Sequence, residues 1–291
     1  MTHSQSSHDV FRSQTNRLLG YPPEARLLII NADDLGMCQA VNAAIFRTLL
    51  EGLARSTSVM VPCPWAAHAM QFLRLHPEVS FGVHLTVIGD SPFYPWRPLS
   101  SVEKIPSLVD ERGYFYTWED MPELLAQAQL EHLETEFRAQ IDAVLSAGLQ
   151  PAHLDWHSLR FGARTDIQEL MTRLAKEYGL ALRVRGRDWT DKVHSQGLPA
   201  NDYDFLDSSG FSPEEKAGCF LELLHSLPSG LSEWAVHPGL DSAELQAIEL
   251  GGSQVRQADY DFLMSQAAKD VVESEGIILI DYRALQTAWR G

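Results

Sequence analysis

The sequence predicts an α/β fold, an irregular (β/α) barrel of about seven parallel strands. Three observations carry that expectation. Strand-like and helix-like stretches alternate along the chain, as in successive βα units of a parallel sheet. The first strand, Leu27-Leu-Ile-Ile, is aliphatic at every position, as a strand covered on both faces must be. Unusual polar residues then gather at strand ends: Asp33 and Asp34 after the first strand, His84 at the third, His153, Asp155 and His157 at the fourth, His237 at the sixth. In a parallel barrel all C-terminal strand ends open on one face, so four separate segments converge there. A doubly wound sheet is the alternative topology.

The elements follow in order. Residues 1–22 are polar, rich in Ser and Gln, and end in Pro22-Pro23, which reads as a mobile arm preceding one barrel domain over residues 23–291. After the first strand, Val41, Ala44, Ile45, Thr48 and Leu49 recur at helical spacing, and Gly52 should stop that helix. Residues 57–61 are a second strand ended by Pro62, 66–75 a helix, and 81–85 a third strand carrying His84. Residues 88–118 lose periodicity and read as a loop insertion too long for an ordinary connection. A long helix is expected over 121–147, closed by Gly148, then a fourth strand at 152–155, a helix over 166–178 and a fifth strand at 181–184. Residues 186–211 form a second irregular insertion. Ser212-Pro-Glu-Glu is a helix start, with Ser212 as N-cap, Pro213 at the first helical position and Glu215 completing a capping box. A sixth strand at 234–237, a helix over 255–275, a seventh strand at 277–280 and a short helix close the chain.

The totals exclude several functions. The formal charge is −16, from 23 basic against 39 acidic residues, which argues against phosphate backbones and anionic lipid as partners. No apolar run reaches the ~20 residues that span a bilayer, and the first residues lack the basic and apolar regions of a signal peptide. Three dispersed cysteines, Cys38, Cys63 and Cys219, make neither a disulfide framework nor a thiolate zinc site and indicate a cytoplasmic protein. No Gly-rich phosphate loop occurs.

Two adjacent carboxylates at the end of a buried strand are costly unless a cation or a raised pKa accommodates them; a single Asp there equally serves as a helix N-cap. Carboxylate and imidazole together suit a divalent ion such as Zn²⁺, Mn²⁺ or Mg²⁺. On an extended strand, period two places 153, 155 and 157 on one face. His84 alone reads equally as a core histidine, and His237, before Pro238-Gly239, as a structural hydrogen bonder. His68, His76, His132, His194 and His225 are expected at the surface. Arg185 is a candidate substrate contact, a partner for Asp33, or half of a structural ion pair. Phe93, Tyr94, Trp96, Trp118 and Trp156 offer ring faces to a sugar, although loop aromatics also serve to pack a loop.

Asn31-Ala-Asp-Asp-Leu-Gly, Phe81-Gly-Val-His-Leu, Ala152-His-Leu-Asp-Trp-His and Val236-His-Pro-Gly resemble the YdjC-like family, which includes the ChbG chito-oligosaccharide deacetylases. The four motifs run in the family's order across about residues 27–240. The resemblance implies a NodB-like barrel of the glycoside hydrolase/deacetylase type and metal-dependent removal of acetyl groups from a small N-acetylated sugar or oligosaccharide. It implies one divalent ion, Mg²⁺ or Zn²⁺ first and Mn²⁺ also compatible, on Asp34, His84 and His153. It implies Asp33 as the base and His237 as the acid toward the leaving amine; Asp155, His157, Trp156 and Arg185 are candidates to support these groups or to contact substrate. Trp156 and Leu159 depart from the family's His-x-Asp-Ser-His-x-His pattern, so the substrate pocket is expected to be reshaped. A metal-dependent hydrolase of another amide, ester or phosphoester bond, or a non-catalytic sugar-binding protein, are the rival readings. Oligomeric state is open, a homodimer included.

Overall fold

The structure, a computed structural model, describes residues 14–162, 164–249 and 251–290. Its centre is β1 (Arg26–Leu35), in which every residue after Arg26 is buried. β1 pairs in parallel with β2 (Ser56–Val59) through its C-terminal half and with β7 (Gly230–Val236) from Arg26 to Ala32. β3 (Ser80–Leu85), β4 (His153–Trp156) and β5 (Ala181–Leu182) follow β2 outward, and β6 (Leu206–Asp207) follows β7. The order is β5-β4-β3-β2-β1-β7-β6, with β8 (Ile278–Leu279) paired to Leu27 and Leu28 of β1. Every pairing is parallel. β5 and β6 are the two unpaired ends, so the curled sheet is an open barrel.

All seven expected strands are present. The eighth, β6, is two residues inside the stretch read as irregular from 186 to 211, which also holds a helix, Arg187–His194. Two long helices are divided. The one expected over 121–147 is Met121–Gln127 and Leu130–Ser146. At the break, the Arg164 guanidinium takes the carbonyls of Leu125 and Ala128, and Ser107 Oγ accepts the Gln129 N–H. The one expected over 255–275 is Ser253–Met264 and Gln266–Ser274, with Ser265 capping the second piece at Ala268 N. Pro213 does open the helix Pro213–His225, but the Ser212 hydroxyl donates to the Glu215 carboxylate instead of the two completing a capping box.

The arm expected over 1–22 is corrected at its end. Residues 1–13 lie outside the described residues, whereas Gln14–Leu19 is a helix with Thr15 and Asn16 buried. Asn16 Nδ2 donates to the carbonyls of Pro22, Pro23 and Ala25, which fixes the turn into β1. Thr15 meets His194, which is buried rather than on the surface. Residues 88–118 are irregular, as expected, but anchored: Trp96 is buried, and the Glu136 carboxylate accepts the N–H groups of Leu99 and Ser100. Among the described residues no helix is long and apolar enough to cross a membrane.

Candidate active site

A cavity of about 640 Å³ opens at the C-terminal ends of the strands. Asp33 and Asp34 are both on its wall, although consecutive strand residues face opposite sides. The reason is local. The β1–β2 register shifts between Ala32 and Leu35, and Asp34 takes φ +69°, a left-handed conformation that Gly, Asn and Asp adopt more readily than other residues. Gly36, at φ +104° and with Ala66 Cα 3.1 Å from where a Cβ would be, completes the bend. The bulge turns both carboxylates into the cavity.

Their partners differ. Arg183, just past β5, donates to Asp33 Oδ2 at 2.7 Å and Oδ1 at 2.9 Å, while Asn31 Nδ2 donates to Oδ1 at 2.6 Å. Arg183 Nε also donates to Glu233 on β7 at 2.6 Å, bridging the seam between β5 and β6 from inside. Asp34 faces Arg256 at 2.8 Å, His157 Nδ1 at 3.1 Å and His84 Nε2 at 3.3 Å. Burial works against the Asp34 charge, but Arg256, then His157 and His84, hold its carboxyl well below the usual range.

Each histidine on this floor is oriented from behind. His84 Nδ1 donates to Asp155 Oδ1 at 2.9 Å, leaving Nε2 toward Asp34. His157 Nε2 donates to Asp90 Oδ1 at 2.7 Å, leaving Nδ1 toward Asp34. Without a cation both rings lie between carboxylates. Burial opposes their charge, yet Asp155 raises His84 to about 9, and Asp90 with Asp34 raises His157 to about 10.

The donor set fits a divalent ion. Ligand atoms of Asp34, His84 and His157 lie within 4.8 Å of one another, as do those of Asp33, His84 and Asp155. Four buried carboxylates, Asp33, Asp34, Asp155 and Glu233, face two buried guanidiniums, Arg183 and Arg256; the remaining two negative charges are met by protonated His84 and His157, whose place a divalent ion bound to the neutral rings would take. Carboxylate-backed imidazoles are the usual support of metal-binding histidines.

His153 lies behind this group: its Nε2 is 3.5 Å from Asp155 Oδ2, but it is in neither set of converging ligand atoms. The expected common face for 153, 155 and 157 is real, but each pair of residues climbs ~6.6 Å along a strand, so three depths are occupied. His157 is at the mouth. Asp155 is below it, accepting from His84 and Asn31. His153 is deepest: its ring stacks on Tyr282 with centroids 3.7 Å apart and fills the space beside Gly82, where a Cβ would lie 2.5 Å from the imidazole. His153 and Asp155 do not line the cavity; His84 and His157 do.

His237 follows β7, the strand paired beside β1, one position past the Ala32–Val236 pair; it lines the cavity next to Asp33, with Nδ1 3.0 Å from Ser208 Oγ. Trp156 and Leu159 also line the cavity, and Trp156 packs among Phe161, Trp189 and Phe205. Arg183, not Arg185, pairs with Asp33; the Arg185 guanidinium lies 5.3 Å over the Phe205 ring at the cavity wall. Of the loop aromatics, Trp118 lines the cavity and is 56% exposed, while Tyr94 donates its hydroxyl to Met37 O. Asp90, Arg256 and Glu233 were not expected at the site. Asp90 stands in an aperiodic loop, Glu233 in a strand interior and Arg256 on a helix, positions that carry no local signal of convergence.

The curled parallel sheet, with carboxylates and imidazoles at its C-terminal mouth, defines a NodB-like (β/α) barrel. The chain belongs to the YdjC-like family, whose model matches residues 27–274. A carbohydrate deacetylase of Thermoanaerobacter pseudethanolicus is 31% identical over 264 residues, covering 90% of this chain and all of that protein. One of Thermus thermophilus is 35% identical, over 81% of this chain and 85% of its own length. The solved structure named for cellobiose-phosphate cleavage, from Enterococcus faecalis, superposes with a TM-score of 0.78 at 29% identity, covering 90% of this chain and 99% of that one.

Proposed function

We propose that this chain is a metal-dependent carbohydrate deacetylase, hydrolysing the acetamide of an N-acetylated sugar or oligosaccharide to acetate and a free amine. The observation that carries the reading is the convergence of Asp34, His84 and His157 beside an arginine-clamped Asp33, in a cavity that His237 also lines from the neighbouring strand. The relatives named carbohydrate deacetylase support the reaction class.

Asp34, His84 and His157 would hold the ion, with His157 in the place the family resemblance assigned to His153. Two imidazoles and a carboxylate suit Zn²⁺ or Mn²⁺, and Mg²⁺ with added water. Such an ion supplies Lewis-acid polarisation of a carbonyl and a lowered pKa for water. The protein's own groups do the rest. Asp33, oriented by Arg183 and Asn31, accepts the proton of the attacking water. His237, protonated, gives its proton to the departing nitrogen as the C–N bond breaks. Asp155 and Asp90 hold His84 and His157 in their tautomers. Trp118 offers an exposed ring face to the sugar.

One observation favours a second reading. Among the described residues the cavity is lined by four arginines, Arg160, Arg183, Arg185 and Arg256, of which Arg160 and Arg185 have no ion-pair partner. These charges would accept an anionic substrate group, as the name of the E. faecalis relative suggests for its own substrate, or a phosphoester as the bond broken. The test is a panel of N-acetyl sugars and their phosphate esters, with the protein chelated and then reloaded with Zn²⁺, Mn²⁺ or Mg²⁺. Metal-dependent acetate release supports the proposal; phosphate release without acetate supports the second reading; release of neither leaves a sugar-binding protein.

A further inference from the structure

His237 ends in a buried chain of polar groups that the reaction as described does not use. Its Nδ1 is 3.0 Å from Ser208 Oγ, and Ser208 Oγ donates to Asp259 Oδ2 at 2.6 Å. The same Asp259 oxygen accepts the backbone N–H of His237 at 2.9 Å. Asp259 Oδ1 is 2.9 Å from Lys216 Nζ, and both side chains are fully buried. Lys216 Nζ also donates to Val255 O. Asp207, at 4.0 Å from Nδ1, is the other charged group facing the ring.

The proton count along this chain has one solution. A carboxylate opposite a buried ammonium is acceptor only, so the single Ser208 hydroxyl hydrogen goes to Asp259. Ser208 then has only lone pairs for the imidazole, and the hydrogen between them must belong to His237 Nδ1. That leaves Nε2 as the nitrogen that gains and loses a proton on the cavity side. Four groups from three segments, the turn after β6, the helix Pro213–His225 and the helix Ser253–Met264, cooperate to set one tautomer.

We infer that Ser208 and Asp259, the latter charge-balanced by Lys216, are positioning residues that lock His237 in the Nδ1–H tautomer with Nε2 aimed into the cavity. The inference rests on the proposed role of His237 as the acid but predicts a ring state that exists without substrate or metal.

The experiment compares the wild type with Ser208→Ala and Ser208→Thr. Nitrogen-15 spectra of the imidazoles, assigned by the signal missing from His237→Gln, should show a pure Nδ1–H form of neutral His237 in the wild type. Ser208→Ala should give a mixture of tautomers and a kcat lower by about ten- to a hundredfold, the usual loss when an orienting partner is removed, with KM within about twofold; Ser208→Thr should restore both. A wild-type Nε2–H tautomer, or a pure Nδ1–H form that persists in Ser208→Ala, overturns the inference. Full acetate release by His237→Gln would remove the acid role instead, and the spectra would still decide the tautomer.

Discussion

Asp34 Oδ1 lies 3.1 Å from His157 Nδ1, a residue beyond the strand that carries His153. On the proposed function this pairing selects the ligand set. His157→Ala should lower affinity for a divalent ion by at least about a hundredfold, since it removes a direct ligand whose supporting partners alone are worth about ten- to a hundredfold. His153→Ala should keep that affinity and instead lose about 2–3 kcal/mol of stability, because a buried ring stacked on Tyr282 leaves a cavity. Titration calorimetry with Zn²⁺ and thermal unfolding of both variants measure the two effects. The opposite ordering would return His153 to the ion.

The proposed function gives the neighbours Asp33 and Asp34 separate duties, and Asp33→Asn tests the division. Arg183 and Asn31 clamp Asp33, whereas the cluster Asp34–His84–His157 needs neither of its oxygens. The amide should leave metal content unchanged and reduce kcat by about 10²–10⁴, the range for loss of a positioned base. Acetate release equal to wild type would remove Asp33 from that role.

Gly82 is required by its neighbour across the sheet. It pairs in register with His153, and an added Cβ would lie 2.5 Å from the imidazole. The ring is enclosed by Tyr282 on its other face, so it has nowhere to retreat. Gly82→Ala should therefore destabilise by about 1–3 kcal/mol, as overpacking of a closed core does, read from denaturant midpoints. A neutral substitution would mean that the floor beneath the site is softer than its packing implies.

These contrasts show how far the sequence reaches. Aliphatic runs and alternating periods report burial and secondary structure directly, so the seven strands and the parallel barrel were legible. β6 was not, because two residues carry no period. The divided helices were not either: both breaks depend on distant partners or a single capping Ser. At the site, period two correctly placed 153, 155 and 157 on one face. What it does not encode is depth, and depth decides that His157 meets Asp34 while His153 meets Tyr282. Arg256 and Asp90 reach the same floor from a helix and a loop more than 160 positions apart in sequence, a relationship only the folded chain expresses.

The last expectation concerns the attachment of the N-terminal helix. Asp202 is buried, accepts the Leu231 N–H at 2.8 Å and approaches the Thr15 N–H at 3.5 Å, with His194 3.9 Å away. Burial lifts its carboxyl from 3.8 to about 7, and burial likewise lowers His194, so both groups favour their neutral forms. The sign follows from proton counts. Between pH ~4 and ~7 the folded chain binds a proton at Asp202 that the unfolded chain does not, so this group's contribution to stability declines as pH rises through that window and is flat above it. At about 1.4 kcal/mol per pKa unit the decline has an upper bound of about 4 kcal/mol. Asp202→Asn keeps an acceptor for Leu231 and has no charge to bury. The stability difference between Asp202→Asn and wild type, measured by urea unfolding at intervals from pH 4 to 8.5, should grow in favour of the variant up to about pH 7 and then stay constant. A difference independent of pH would mean that Asp202 is ionised in the folded protein throughout this range.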